Sequence, residues 1–176
     1  MNERSEEEES FSQLYQEFYA ELHRVAWRIC GRREVADELC QEAFLRYYDR
    51  RDRLPGGDEA RYWLIRVVKN LAFNHEKRRG REQEAYRLYS RQPRVIPQND
   101  GESTILAKES CDLVREALTT VPYKLRVALI LKEYAGYPYA DIARILKISE
   151  ANVKVRVFRA RQQLSKILQK GEIYVP

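Results

Sequence analysis

The sequence lacks the long apolar segments that are typical of membrane proteins. No run of about 18 apolar residues occurs in its 176 residues, so no helix is expected to span a membrane. The N-terminus is acidic and has no apolar core, so we expect no signal peptide. No stretch alternates polar and apolar residues with a period of two, and no internal repeat occurs. The chain is therefore expected to contain helices and no sheet.

Cysteine and histidine are also scarce. The odd number and wide spacing of Cys30, Cys40 and Cys111 fit neither a disulfide framework nor a zinc site. Cys30 and Cys40 lie beside apolar helical positions, which predicts buried thiols in a reducing cytoplasm, with redox sensing as the alternative. The two histidines, His23 and His75, have no metal motif around them. We therefore expect no metal and no cofactor.

Charge is abundant and unevenly placed. Charged residues make up 34% of the chain, and the formal net charge is +5. The first ten residues carry five glutamates against Arg4, which predicts a disordered acidic tail over residues 1–9. Basic residues gather at Lys69–Arg81 and near the C-terminus. These two clusters indicate two contacts with one nucleic acid, or else two solvated surfaces.

Apolar residues recur every three or four positions, which predicts an all-α protein. A first helix contains Phe11 to Ile29 and ends at Gly31, a second contains Val35 to Tyr47, and a third runs from about Ala60 to Arg79. Residues 51–59, with two glycines and a proline, are expected to form a loop. We expect a front helical domain at 10–85, a flexible linker at 86–107 and a rear domain at 108–170.

The rear domain contains a helix-turn-helix pattern between Tyr139 and Leu164. Ser149 suits the N-cap of the second helix, and Lys147 stands where the tight turn often has glycine. A non-glycine residue in that conformation costs on the order of 1 kcal/mol. The second helix has a predicted buried stripe of Val153, Val157, Ala160, Leu164 and Ile167. Its opposite face holds Lys154, Val155, Phe158, Arg159 and Gln162, which favours DNA major-groove reading over a solvated cationic helix.

The third helix has a second face besides its apolar one. This face contains Trp63, Arg66, Val67, Asn70, Phe73, Asn74 and Lys77, and the helix continues into Arg78, Arg79 and Arg81. Aromatic rings stack on unpaired bases, amides bond base edges and cations hold phosphates, so the pattern predicts single-stranded DNA binding. The alternative is that Trp63 and Phe73 belong to the core of a bundle.

The second helix places Glu38, Gln41 and Glu42 on one polar face. This face is either solvated or a docking surface for a basic partner protein.

Two alternatives concern the whole chain. One is a dimeric repressor that uses the helix-turn-helix on paired half-sites. The other is a nuclease using Asp37, Glu38, Glu42 and Asp49, which lacks supporting histidines and metal-ligand motifs.

Three blocks in order resemble one protein family. They are ADELCQEAF at 36–44, YWLIRVVKNLAFN at 62–74 and the helix-turn-helix after a linker. Together they resemble the bacterial sigma-70 family, in its short extracytoplasmic function group, over residues 10–80 and 108–168. The resemblance implies a sigma factor and not an enzyme, which binds core RNA polymerase, directs it to promoters and helps melt the DNA.

The resemblance also implies roles for individual residues. Glu38, Gln41 and Glu42 match positions that dock on the clamp helices of the largest polymerase subunit. Leu54 matches the apolar position of a loop that captures a flipped base of the −10 element. The expected contacts with the melted −10 strand are Trp63, Asn70, Phe73, Asn74, Lys77 and Arg78. The expected −35 contacts are Ala151, Lys154, Val155, Phe158 and Arg159, with Val155 standing where the family often has serine. The helix at about Tyr123–Tyr134 is expected to help hold the flap of the second-largest subunit, and an anti-sigma protein is an expected partner.

Overall fold

The front half of the chain folds into three long helices. The computed structural model describes residues 3–54, 56–89 and 114–170. Helix α1 spans Glu3–Cys30, α2 spans Arg33–Tyr48, a short 3-10 helix spans Arg51–Arg53, and α3 spans Gly57–Tyr89. Their apolar faces meet in a core that includes Leu22, Ile29, Phe44, Leu64, Ile65 and Val68. Fully burying each such side chain contributes roughly 1.5–3 kcal/mol, which holds this front module together.

Helix α1 ends where the sequence predicts but begins earlier. Gly31 has a φ of 74°, and its N–H donates to the carbonyl of Trp27 at 2.7 Å, which closes the helix. The predicted disorder of residues 1–9 is wrong for residues 3–9, because α1 begins at Glu3. Each residue added to an existing helix gains a hydrogen bond without a new nucleation step.

Helix α3 is ten residues longer at its C-terminal end than the predicted limit of Arg79. Its extension contains Gly80, which costs about 1 kcal/mol relative to alanine in a helix interior. An ion pair between Arg78 and Glu82, one turn apart at 2.8 Å, supports the extension. The predicted linker at 86–107 therefore begins inside α3, and its part beyond residue 89 lies outside the described residues.

The rear half contains four helical segments among the described residues. Residues 114–120 are helical (α4), α5 spans Tyr123–Glu133, α6 spans Tyr139–Leu146, and α7 spans Glu150–Lys170. Pro122 precedes α5 as its N-cap, as its position in the sequence predicts. The core of this rear module consists mainly of Leu118, Val121, Val127, Leu131, Ile142, Ile145, Val153 and Val157. The described residues include no strand, and the predicted all-α fold is confirmed.

The predicted helix-turn-helix is present, and its turn has the geometry that the sequence indicates. Lys147 adopts the left-handed conformation, with φ 55° and ψ 50°, at the end of α6. The N–H of Ile148 donates to the carbonyl of Ala143 at 3.1 Å, which brings Ile148 against the core. The hydroxyl of Ser149 accepts the N–H of Asn152 at 3.3 Å, which confirms Ser149 as the N-cap of α7.

The two modules pack against each other, a contact that the sequence analysis did not predict. Helix α3 lies against α6, and α1 lies against α5. The Arg66 guanidinium on α3 donates to the carbonyls of Ile145 at 2.9 Å and Arg144 at 3.0 Å, where α6 ends. Arginine donors at a helix C-terminus satisfy carbonyls that have no partner within the helix. This contact links the end of α6 to α3.

Aromatic and charged side chains add to the contact between the modules. The Phe73 and Tyr123 rings have centroids 5.1 Å apart, and the Tyr123 hydroxyl donates to the carbonyl of Lys69. Arg126 is 3% exposed and pairs with Glu76 on α3. Since an isolated buried charge is very unfavourable, Arg126 ties α5 to α3 through this carboxylate.

Candidate nucleic-acid interface

Helix α7 presents one continuous exposed face. The side chains predicted to read duplex DNA are all exposed, namely Ala151, Lys154, Val155, Phe158 and Arg159. Phe158 is 60% exposed and Val155 is 45% exposed, although both are apolar. The opposite side of the helix is fixed by the buried Val153, Val157 and Ala160. An exposed phenyl ring between cations on a rigid helix is unfavourable in water and suits a groove that offers both base edges and phosphates.

Some of the cations on and beside this face have partners within α7, and one does not. Lys154 pairs with Glu150 at 2.9 Å, and the hydrogen bond to that carboxylate raises the pKa of Lys154. The Arg156 Nε donates to the Asn152 amide oxygen at 3.3 Å. Among the described residues, Arg159 forms no ion pair. Its guanidinium therefore keeps all its donors for an external acceptor.

The second candidate face runs along α3. Asn70, Phe73, Asn74, Lys77 and Arg78 are exposed, as their predicted contacts with DNA require. Trp63 is half-buried and contacts the Tyr47 ring edge-on, with centroids 5.9 Å apart. Trp63 therefore belongs partly to the core, as the alternative interpretation of the sequence held. The polar and cationic members lie on one stripe that is open to solvent.

Two members of this stripe already have partners within the chain. The Asn70 amide oxygen accepts a hydrogen bond from Lys69 Nζ at 2.7 Å, and the Phe73 ring contacts Tyr123 across the module boundary. Among the described residues, the Asn70 amide NH₂ has no hydrogen-bond partner, so it can still donate to a base edge. Phe73 is 42% exposed, so only part of its ring is accessible to a base.

Leu54 lies in a tighter segment than the loop that the sequence predicts. Residues Arg51–Arg53 form a 3-10 helix, and α3 begins at Gly57, so the predicted loop at 51–59 is shorter than expected. Arg51 braces this segment by donating to the Tyr48 carbonyl at 2.9 Å and by lying 4.2 Å from the Tyr48 ring centroid. Leu54 is half-buried against the core, so its side chain is only partly presented to solvent.

The polar face of α2 also contains a residue that the sequence analysis missed. Glu38 and Gln41 are exposed, and Glu42 pairs with Arg46 at 2.7 Å. Leu45, which is 60% exposed, lies one turn beyond Gln41 and Glu42. The helical period could have revealed it, because Leu45 falls outside the buried stripe of α2. A single exposed leucine is ordinary on a protein surface, and here it adds apolar area to a polar face.

The two described cysteines lie in surroundings that disfavour thiol chemistry. Cys30 and Cys40 are buried, and burial raises the pKa of Cys40 to about 12 and that of Cys30 in the same direction. Such thiols are mostly protonated at neutral pH and react slowly, which argues against redox sensing by this pair. Cys111 lies outside the described residues.

Within the described ranges no group of three metal-ligating side chains occurs, and no helix there is long and apolar enough to cross a membrane.

Family models match both halves of the chain. Residues 14–82 match the model for sigma-70 region 2, and residues 111–164 match the model for sigma-70 region 4. The RNA polymerase sigma-H factor of Pseudomonas aeruginosa is 30% identical over 143 residues, which cover 77% of this chain and 74% of that protein. The extracytoplasmic function (ECF) RNA polymerase sigma factor EcfG of Rhodopseudomonas palustris is 32% identical over 148 residues, or 84% of this chain and 78% of the relative.

A solved structure has the same fold. It is the sigma factor RpoE of Bartonella quintana in complex with the anti-sigma factor NepR. The TM-score is 0.68 with 24% identity, over 90% of this chain and 96% of that one. At this level of identity the likeness supports the fold alone, with two helical modules in the same order.

Proposed function

This chain belongs to the sigma-70 family of RNA polymerase sigma factors, in its extracytoplasmic function group, and from that premise we propose how it reads a promoter. As a sigma factor it directs core polymerase to specific promoters and is not an enzyme. We assign the −35 element, as duplex DNA, to α7 and the −10 element, as a melted strand, to α3. The observation that supports this most directly is the exposed Val155–Phe158–Arg159 face on a capped helix-turn-helix.

The chemistry of the α7 face fits the edges of base pairs in a major groove. Arg159 can donate two parallel hydrogen bonds to a guanine edge, and Lys154 can bind a phosphate or a guanine. Val155 and Phe158 provide apolar contacts for thymine methyl groups. Ala151, at the start of the helix, lets the DNA backbone approach closely. Because a valine replaces the hydroxyl that is common in the family at position 155, the preferred −35 sequence is expected to shift toward a methyl-bearing base.

The α3 stripe fits unpaired bases. Asn70 and Asn74 offer amide groups to base edges, Phe73 and Trp63 offer rings for stacking, and Lys77 and Arg78 lie where phosphates would pass. Leu54, at the preceding turn, adds an apolar surface for a flipped base. Each stacked base contributes roughly 1–3 kcal/mol, which offsets an unstacking cost of a few kcal/mol.

Polymerase and a regulator complete the proposed set of partners. We assign the α2 face of Glu38, Gln41 and Glu42 to the clamp helices of the largest subunit, with Leu45 as an added apolar contact. Helix α5 and the helix-turn-helix are assigned to the flap of the second-largest subunit. An anti-sigma protein is the expected regulator, since the related Bartonella sigma factor was solved with one. The proposed polymerase and DNA partners favour a cytoplasmic location.

Two substitutions separate the proposed roles of the two DNA faces. Arg159→Ala is expected to weaken −35 duplex binding by about 1–3 kcal/mol at its contacted base pair, with polymerase binding unchanged. Asn70→Ala is expected to slow strand opening, followed by a fluorescent base at the −10 element, more than it weakens initial binding. Lys166→Ala, an exposed cation on the same helix as Arg159, is the control. If Arg159→Ala and Lys166→Ala lower −35 discrimination equally, or if Asn70→Ala leaves opening unchanged, the corresponding assignment is wrong.

A further inference from the structure

One arginine in the link between α2 and α3 differs from its neighbours. The link contains Arg50, Arg51 and Arg53, of which Arg50 and Arg53 are exposed and Arg51 is half-buried. Arg51 turns its guanidinium back toward the end of α2, where one N–H group donates to the Tyr48 carbonyl at 2.9 Å. Carbonyls in the last turn of a helix have no partner within the helix, so this donor caps α2. Arg51 is therefore directed into the protein, whereas its two neighbours are open to solvent.

Arg51 is anchored a second time through the Tyr48 ring. Its guanidinium carbon lies 4.2 Å from the centroid of that ring, well within the range of a cation–π contact. The ring is itself held by Phe11 of α1, which meets it edge-on with centroids 4.9 Å apart. One anchor to the backbone and one to the ring leave the guanidinium few alternative positions. The start of the 3-10 helix is thereby attached to both α1 and α2.

The same residue also constrains the backbone of Leu54. The N–H of Leu54 donates to the Arg51 carbonyl at 3.2 Å, which closes the 3-10 helix. Leu54 then has an extended backbone, with φ −107° and ψ 145°. Pro55 follows it in the sequence, and a residue before proline favours this conformation. Because the hydrogen bond acts on one side and the proline on the other, the side chain of Leu54 leaves the link in one direction.

We propose that Arg51 is a positioning residue, which fixes Leu54 for the capture of a flipped base of the −10 element. The inference rests on the proposed function of Leu54 and adds a residue that acts on the base only through it. An apolar side chain that is already ordered loses little conformational freedom when a base packs against it, so it binds that base more tightly than a mobile one. Arg51→Lys keeps the charge but loses the planar group that donates to the carbonyl and stacks on the ring at once.

The first experiment tests the positioning without DNA. Hydrogen exchange of the Leu54 amide is followed in the full chain, and Arg51→Lys is expected to accelerate it about three- to tenfold by loosening the 3-10 helix. Arg53→Lys is the matched control, because it makes the same substitution at an exposed position of the same 3-10 helix, and it is expected to exchange as the wild type does. Thermal unfolding checks that each variant is folded. Equal exchange rates in the two variants would overturn the proposal.

The second experiment measures base capture by the complex of this chain with core polymerase. The ligand is a single-stranded −10 oligonucleotide with a fluorescent base at the flipped position, and its Kd is compared among the wild type, Arg51→Lys, Arg53→Lys and Leu54→Ala. Arg51→Lys is expected to weaken binding about three- to tenfold, because Leu54 must then be ordered on binding. Arg53→Lys is expected to bind as the wild type does.

A double-mutant cycle decides whether Arg51 acts through Leu54. Residues that work as one unit have effects that do not add, so Arg51→Lys is expected to cause no further loss in a Leu54→Ala background. If the two losses multiply, or if Arg51→Lys binds as Arg53→Lys does, the positioning role is overturned. If Leu54→Ala alone leaves Kd unchanged, the proposed function of Leu54 is wrong, even where the amide exchange shows that Arg51 fixes the turn. The two experiments therefore separate failure of the positioning from failure of the proposed function.

Discussion

The buried arginine between the modules leads to a prediction that can be worked out from its contacts. Arg126 is 3% exposed, and Glu76 is the carboxylate that pairs with it. Glu76→Gln keeps the shape of the side chain but removes its charge. Taking away one member of a fully buried pair costs about 3–5 kcal/mol. The loss here is expected to be smaller, because Glu76 is 32% exposed and water can reach the pair.

Other acceptors reduce the loss further. Arg126 also donates to the carbonyl of Thr119 at 3.0 Å, a bond that the substitution leaves intact. The amide oxygen of glutamine can still accept one hydrogen bond from the guanidinium. Only the additional strength that the carboxylate charge gives this bond is therefore lost. The expected decrease in the free energy of unfolding is therefore about 2 kcal/mol, within the range for hydrogen bonds to charged groups. For a chain of this size it corresponds to a fall of about 4–8 °C in Tm.

The assay is thermal and urea unfolding followed by circular dichroism and calorimetry. Glu82→Gln is the matched control, since Glu82 lies on the same helix and pairs with Arg78, but both side chains are well exposed. Surface pairs of that kind contribute little, so Glu82→Gln is expected to leave the free energy of unfolding almost unchanged. Because Glu76 joins the modules, its substitution is also expected to broaden the thermal transition as the halves become less coupled. Equal losses in Glu76→Gln and Glu82→Gln would refute the inference that burial makes the first pair important.

Three further predictions concern the turn and the thiols. Lys147→Gly is expected to stabilise the chain by about 0.5–1 kcal/mol in urea unfolding, because the left-handed strain is relieved; a loss would contradict the strain. Ser149→Ala removes the cap of α7 and is expected to cost about 1 kcal/mol in the same assay, whereas no loss would mean that the cap contributes nothing. Cys40, with its pKa raised to about 12 by burial, is expected to resist an aromatic disulfide reagent at pH 8 until urea unfolds the chain. Rapid labelling of Cys40 in the folded protein would show that the helix packing opens locally.

The helix-turn-helix could be predicted from sequence because its signals are local. The cap of Ser149, the left-handed Lys147 and the three-four stripe from Val153 onward all act within a few residues of each other. The exposed members of the candidate DNA faces follow from the same periodicity, since any residue outside a buried stripe faces outward. Leu45 follows from the same rule, because it lies outside the buried stripe of α2.

Helix ends and contacts between modules were harder to predict for a physical reason. The extension of α3 to Tyr89 depends on helix propagation, which has no sharp sequence signal when glutamate, arginine and alanine follow one another. The pairing of Arg126 with Glu76 joins residues 50 positions apart. Nothing in the pattern around either residue identifies the other, so the contact depends on how two separate surfaces fit. The contact of Arg66 with the end of α6 was hidden for the same reason, because these residues meet only after the modules pack.

The packing of the modules has a consequence for the proposed capture of a melted strand. Phe73, assigned to stack on a base, already contacts Tyr123 of the rear module. A base can take the face of Phe73 that Tyr123 occupies only by displacing that ring, and an aromatic contact of this kind is worth about 0.5–1.5 kcal/mol. As long as the modules remain together, binding of the melted strand at Phe73 is weaker by this amount. Strand capture and module packing are therefore opposed at this position, and polymerase binding that separates the modules would remove the opposition.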